Sequence, residues 1–213
     1  VQDSAPKKPP GSQGQRFQST AMPSRHEIVC HACGTSMEVV GRSAQTICTK
    51  CRARLQIKDL KVEAEWDDEL ETSGTVEIKE EGVIRGGKLI CNNLVLRGRV
   101  LGGTVRVTRR LTLWNSDTDS LEHIDFRDLE IGAGVVLDLG GKPATFHHLD
   151  VAGTLAGHVE LTGGIMIRSS GDVTGSIQGR GLTVEEGGGL RAALRINPSE
   201  GEEGPSKTPD EKD

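Results

Sequence analysis

The chain has 213 residues, of which 28 are glycine and only 2% aromatic, and its formal net charge is −5. Glycine stands at nearly twice its usual ~7% and aromatics are several-fold depleted, which excludes a ring-built core and a base-stacking nucleic-acid platform. No apolar run approaches the ~20 residues of a membrane span, and the first residues lack a signal-peptide h-region, so the chain reads as soluble, non-secreted and cytoplasmic.

Residues 1–25 place Pro6, Pro9, Pro10 and Pro23 among Ser, Gln and Lys and sum to +3. Residues 197–213 place Pro198, Pro205 and Pro209 among Glu, Gly and Asp and sum to −4. Neither composition buries enough apolar surface to offset the entropy of ordering it, so two disordered tails are expected.

Residues 26–58 carry Cys30, Cys33, Cys48 and Cys51, two C-x2-C pairs with 14 residues between them. Two residues between cysteines let one tight knuckle aim both thiolates at one ion, and two knuckles complete a tetrahedral Zn2+ shell. The segment is too short for a core of its own, so a structural metal would supply much of its folding free energy. It resembles a zinc ribbon; a disulfide pair or a redox CxxC is the alternative. Gly34 follows the first knuckle, where positive φ is often required, while Arg52 holds the matching place after the second. His26 and His31 lie nearby, but four thiolates already close the shell.

Residues 59–72 sum to −6 and read as an acidic linker, although Leu60, Val62, Ala64 and Trp66 alternate with charges as an edge strand would.

From residue 73 to 196 aliphatic residues recur every six positions. Leu149, Leu155, Leu161, Ile167 and Val173 form one unbroken ladder; Ile78, Ile84, Ile90 and Leu96 form another, and Val184, Leu190 and Ile196 a third. Within each unit the apolar residues sit at i and i+2, as in Val159/Leu161, which puts both on one face of a short strand. Period six with such short strands predicts an all-β solenoid in which three six-residue walls close a coil. About 120 residues at roughly 18 per coil predict six to seven coils and a rod of about 30 Å. The register slips near Gly102-Gly103 and again across Trp114–Asp128, where a solvated loop carrying Asp117, Asp119, Glu122 and Asp125 is expected. Cys91, flanked by apolar residues, reads as a core thiol, and Asn92-Asn93 as a corner.

The residues from Val76 through Ile78, Gly82, Ile84 and Gly86, and the run from Leu149 through Val151, Gly153, Leu155, Gly157, Val159 and Leu161, are similar to those of the bactofilins, bacterial polymer-forming cytoskeletal proteins. The resemblance covers about 120 of the 213 residues, and the cysteine segment is an addition to the family plan. It implies a right-handed β-helix that polymerises end to end without nucleotide into filaments, scaffolding cell-shape or envelope proteins at the cytoplasmic membrane. Some members carry a short apolar membrane-targeting segment at the start, where this chain offers only Phe17 and Met22.

Elementary physics also points to self-association, because the two terminal coils of a solenoid expose unpaired N–H and C=O groups. The predicted polymerisation interface is Val76 and Ile78 at one end and Leu190, Leu194 and Ile196 at the other. Linker or tail folding over these ends would block growth, and the cysteine segment would act as a cap or a docking module.

Two rival classes carry less. A hexapeptide-type acyltransferase would use a histidine among His123, His147, His148 and His158, but such hexads show one aliphatic residue per unit, and no nucleophile–base pattern is present. Nucleic-acid binding would use Arg42, Lys50, Arg52, Arg54 and Lys58 of the ribbon. On the solenoid, Lys79, Arg97, Lys88, Arg106, Arg109 and Arg110 would line a basic ridge facing anionic lipid or an acidic partner. The expectation is a non-enzymatic scaffold.

Overall fold

A computed structural model of the chain describes residues 25–40 and 44–197. The expected tails, save Arg25 and Asn197 at their inner ends, lie outside the described residues.

Strand after strand from Leu60 onward pairs in parallel with the strand one coil away, and the coils stack into a β-solenoid. Wall A is continuous over eight rungs. Its inward residue is Leu60, then Val76, Leu94, Leu111, Leu129, Leu149, Ile165 and Leu182, each in register with the next. Wall B stacks Trp66 on Ile84 on Val100, and separately Leu137 on Leu155 on Val173 on Leu190. Wall C likewise has a first stack through Leu70, Leu89, Val105 and Ile124 and a second through Ala144, Val159, Ile177 and Leu194. The hexad ladder therefore winds from wall to wall: Leu149 lies on A, Leu155 on B, Leu161 on C and Ile167 on A again. One buried cluster runs the length of the rod, from Val62 to Ile177, with Leu94, Leu111, Leu137 and Leu155 among its fully enclosed side chains. Each such leucine contributes about 1.5–3 kcal/mol by leaving water.

The rod has one coil more than the six to seven expected, because the acidic stretch is not a linker. It forms β5 (Leu60–Val62), β6 (Glu65–Trp66) and β7 (Glu69–Glu71), which pair with the second coil on walls A, B and C; the four strands before them belong to the cysteine segment. Its charges occupy outward positions, Lys61, Glu63, Glu65 and Asp67 all exposed, while Val62 is buried. The alternation of Leu60, Val62 and Trp66 with charged residues, rather than the net charge, was the signal that decided the structure here, although Ala64 is exposed.

The loop predicted across Trp114–Asp128 is a structural splice. A 3-10 turn, Asp119–His123, stands where wall B would have its fourth strand. Serine hydroxyls replace the missing rung: Val100 N–H donates to Ser120 Oγ at 2.8 Å, and Val136 N–H donates to Ser116 Oγ at 3.1 Å. The Asp117 carboxylate accepts the Ser120 hydroxyl proton at 2.9 Å, which frees that oxygen to accept from Val100. Ser120 is completely buried. On wall C the pairing lapses between Ile124 and Ala144, where the Phe126 and Phe146 rings stack with centroids 5.6 Å apart and line a cleft of about 490 Å3.

Gly175 shows why corners and close approaches take glycine. Its φ is +116°, and a Cβ there would run into the carbonyl of Gly157 on the coil below.

Candidate metal centre and the solenoid ends

The cysteine segment is two antiparallel hairpins: β1 (Arg25–Val29) pairs with β2 (Ser36–Val40), and β3 (Gln45–Ile47) with β4 (Arg54–Gln56). Each presents a knuckle of the same construction. Gly34 N–H donates to Cys30 O at 2.8 Å and Cys30 N–H to Thr35 O at 2.9 Å. Eighteen residues later, Arg52 N–H donates to Cys48 O at 3.0 Å and Cys48 N–H to Ala53 O at 2.9 Å. Gly34 has φ +70° and Arg52 φ +61°, the one non-glycine residue with positive φ among those described. The missing glycine changes the cost of the second knuckle and leaves its shape intact.

The four sulfurs lie within 4.8 Å of one another, with Cys30 and Cys51 Sγ 3.6 Å apart and Cys33 and Cys48 Sγ also 3.6 Å apart. A disulfide would hold two sulfurs at about 2.05 Å, whereas metal–sulfur bonds of about 2.3 Å in a tetrahedron hold them roughly 3.8 Å apart. The spacing fits a four-coordinate thiolate shell, and these four cysteines could bind a metal.

The electrostatics ask for a cation. The Thr35 hydroxyl and N–H, both directed at Cys33, lower its thiol to about 6. Cys48 is lowered as well, chiefly by the Cys51 N–H. Cys51 receives the lowering Ala53 N–H but faces the other three sulfurs, Cys33 first, and is pushed up to about 12. Like charges confined at this distance cannot all ionise in the absence of a compensating charge, which a bound metal cation would supply. Cys91 takes no part: it is fully enclosed in the solenoid core, where burial pushes its thiol up to about 12.

The module is docked on the flank of the rod, along the corner where wall C turns into wall A. Ser73 N–H donates to Gln56 O at 2.6 Å and Ser73 Oγ lies 3.4 Å from Val29 O. Arg109 grips β1 twice, donating to Glu27 O at 2.7 Å and to Glu27 Oε2 at 3.1 Å. His31 Nε2 sits 3.5 Å from Glu71 on β7. A cleft of about 660 Å3 remains between the first knuckle and the flank, bounded by His31, Arg106, Asp125 and Arg127. Nothing in the sequence signalled Glu27–Arg109, a contact across 82 positions.

The predicted interface residues divide. Val76 and Ile78 are completely buried in the second coil beneath β5, so they do not form an end; the true first coil lies before them. At the other end Val184, Leu194 and Ile196 are exposed at 41%, 44% and 38%, and Leu190 is half-buried. Among the described residues, the last strands on all three walls pair on one side only.

The basic ridge is neutralised where it stands. Lys88 meets Glu71, Arg106 meets Asp125, Arg109 meets Glu27, Arg110 meets Glu130, and Lys79 and Arg97 share Glu77. Among the histidines, His148 Nδ1 accepts Gly164 N–H at 3.2 Å, a backbone role, and His147 Nδ1 faces Asp128 at 3.2 Å. His158 lies against Ser176 and 3.7 Å from Glu160 with nearly half its side chain in solvent.

Comparison of the chain with family models, curated proteins and solved structures finds no match. No helix among the described residues is long and apolar enough to cross a membrane.

Proposed function

We propose that this chain is a non-enzymatic, self-assembling scaffold of the bactofilin kind, whose rods join end to end without nucleotide. The open carboxyl-terminal coil carries the reading. Its inward-pointing Leu182, Val184, Leu190 and Leu194 continue ladders that are buried one coil earlier, and among the described residues its strands have no partner on their outer edge. Stacking another coil there satisfies the backbone and buries the apolar rungs together.

In this reading the four cysteines hold a structural Zn2+, which their all-thiolate donor set suits. The docked module then decorates the rod's flank and offers a surface to envelope or cell-shape proteins in the cytoplasm. Metal analysis of the purified chain tests the zinc assignment; one equivalent of zinc supports it, and an iron chromophore or no metal overturns it.

Negative-stain electron microscopy of the purified chain without nucleotide, beside a Leu194→Asp/Ile196→Asp variant, tests assembly. Filaments in the parent and single rods in the variant are expected. Discrete closed trimers in the parent would instead favour an acyltransferase-like assembly.

A further inference from the structure

The chain has three phenylalanines, and two of them, Phe126 and Phe146, line the cleft where wall C lapses. Leu121, Leu139 and Ala144 complete its floor, each packed against the solenoid core and only partly covered. One side of the cleft is the 3-10 turn, and the other is an arch in the strand Val136–Phe146. Asp138 pairs with Ala156 and Pro143 with His158, so residues 139–142 stand across from Gly157 alone. The extra residues bow away from the wall, and apolar surface that every other coil covers stays open beneath them.

The rim of this floor is acidic. Asp119, Glu122 and Asp138 stand exposed at its edge, and none of the described lining residues is basic. Counting Lys142, next to Gly141 in sequence, the surroundings still keep a net negative charge. An apolar floor under an acidic rim selects an apolar side chain that has a cation beside it.

Residues 1–24 and 198–213 lie outside the described residues, and their compositions suit this cleft very differently. The second segment has six acids against Lys207 and Lys212 and holds no aliphatic or aromatic residue. The first has Lys7, Lys8 and Arg16 against Asp3, and Arg16 directly precedes Phe17, the remaining phenylalanine.

The first strand also delivers residues 1–24 to the right flank. Val29 O lies by Ser73 Oγ, and Glu27 is held by Arg109 two coils further on, so the Arg25 side of β1 lies toward the later coils. Arg127 and His147 continue the register position of Arg109, and Phe126 and Phe146 immediately precede them. Phe126 lines both this cleft and the one beneath the first knuckle, so the two adjoin. Phe17 stands eight positions before Arg25, a reach of up to about 26–29 Å for an extended chain.

We propose that residues 1–24 fold back onto their own rod, with the Phe17 ring seated against Phe126 and Phe146 and the Arg16 guanidinium at the rim carboxylates. The seat is complete within one copy and does not depend on assembly. One anchored ring leaves the rest of the segment free of order, in keeping with its composition. Because the segment is tethered, its effective concentration at the cleft is of millimolar order, and a modest affinity suffices.

Disulfide trapping in the full chain supplied with zinc tests the seat. Gln18→Cys is combined with Gly141→Cys, a position where an added Cβ meets open space. Mild oxidation is followed by mass spectrometry of the digested, unreduced chain. The expected result is a link between positions 18 and 141 of one copy, forming at a rate that dilution does not change. Adding Phe17→Ala should slow it about tenfold, the loss of one buried ring. Glu122→Lys changes an exposed rim position, leaves the floor alone, and should slow the link as well. A link that forms equally fast in the Phe17→Ala chain reflects chance encounter and overturns the proposal. A link only between copies gives the seat to another copy's segment and overturns the fold-back. No link, in a chain whose circular dichroism shows the solenoid intact, overturns it too. An unchanged rate with Glu122→Lys overturns the role given to Arg16.

Discussion

The cysteine module and the solenoid solve the same problem with opposite means. The module's core is Ile28, Cys30, Val39, Cys48 and Leu55, so two of its five buried residues are metal-ligand candidates. The solenoid encloses 28 buried residues in one continuous cluster, nearly all aliphatic, and each coil is covered by its neighbours. A short segment with so few apolar residues inside would draw much of its folding free energy from a bound ion, whereas stacked coils draw theirs from repetition. The two halves should therefore respond to different perturbations.

Metal removal gives the largest separation. Chelation, or Cys48→Ser, should unfold residues 25–58, because structural zinc in such modules contributes on the order of 10 kcal/mol or more. Limited proteolysis then cuts the module while the solenoid band persists. A thiol reagent added to the chelated, otherwise native chain should titrate the four cluster cysteines rapidly and leave the buried Cys91 unreacted. Loss of the solenoid's β-sheet circular dichroism upon chelation would break the comparison.

Leu155→Ala should do the reverse. It removes a completely buried rung in the middle of wall B and should cost about 2–5 kcal/mol, lowering the solenoid's melting temperature with no change in metal content. Arg52→Gly probes the module alone. A non-glycine residue in left-handed geometry costs about 1–2 kcal/mol and glycine's extra chain entropy returns part of that, so the metal-loaded module should gain up to about 1 kcal/mol. Chelator competition reads this as tighter metal retention, and a weakened site would show that the Arg52 side chain contributes something the backbone argument omits.

The smallest effect is on pH. Hydrogen bonds from Lys88 to Glu71 and from Lys79 to Glu77 hold both carboxyls below the usual 4.5. A carboxyl depressed in the folded state stabilises above its unfolded pKa, and that stabilisation is lost as pH falls through the folded value. The solenoid's melting temperature should drop modestly on acidification from about pH 5, and Glu77→Gln should flatten part of that drop.

The strongest sequence signals lay in single residues at fixed spacing. Cys30, Cys33, Cys48 and Cys51 announce one cluster because C-x2-C leaves little freedom in where two sulfurs can go, and the structure does bring all four together. The aliphatic hexads announce three walls because the inward rungs are almost all aliphatic. The first coil escaped because its three strands are two or three residues long and almost every outward place in them is charged. That error displaced the presumed end by one coil and put Val76 and Ile78 at a surface they do not reach. The splice at Asp119–His123 was legible as a lapse in register, but not as a rung rebuilt by Ser116 and Ser120, since isolated serines carry no periodicity.

By itself the sequence determined what depends on local repetition and spacing: parallel coils with an aliphatic interior, a four-thiolate cluster, and Cys91 as a core residue. Only the tertiary structure decided where the rod begins, how the module lies on its flank, and which charges meet. Those depend on contacts such as Glu27 with Arg109, across 82 positions, and Arg168 with Asp150 and Glu185, one coil away on either side. Pattern along the chain fixes which face of a strand turns inward. The closing of each coil on its neighbours fixes everything that faces outward.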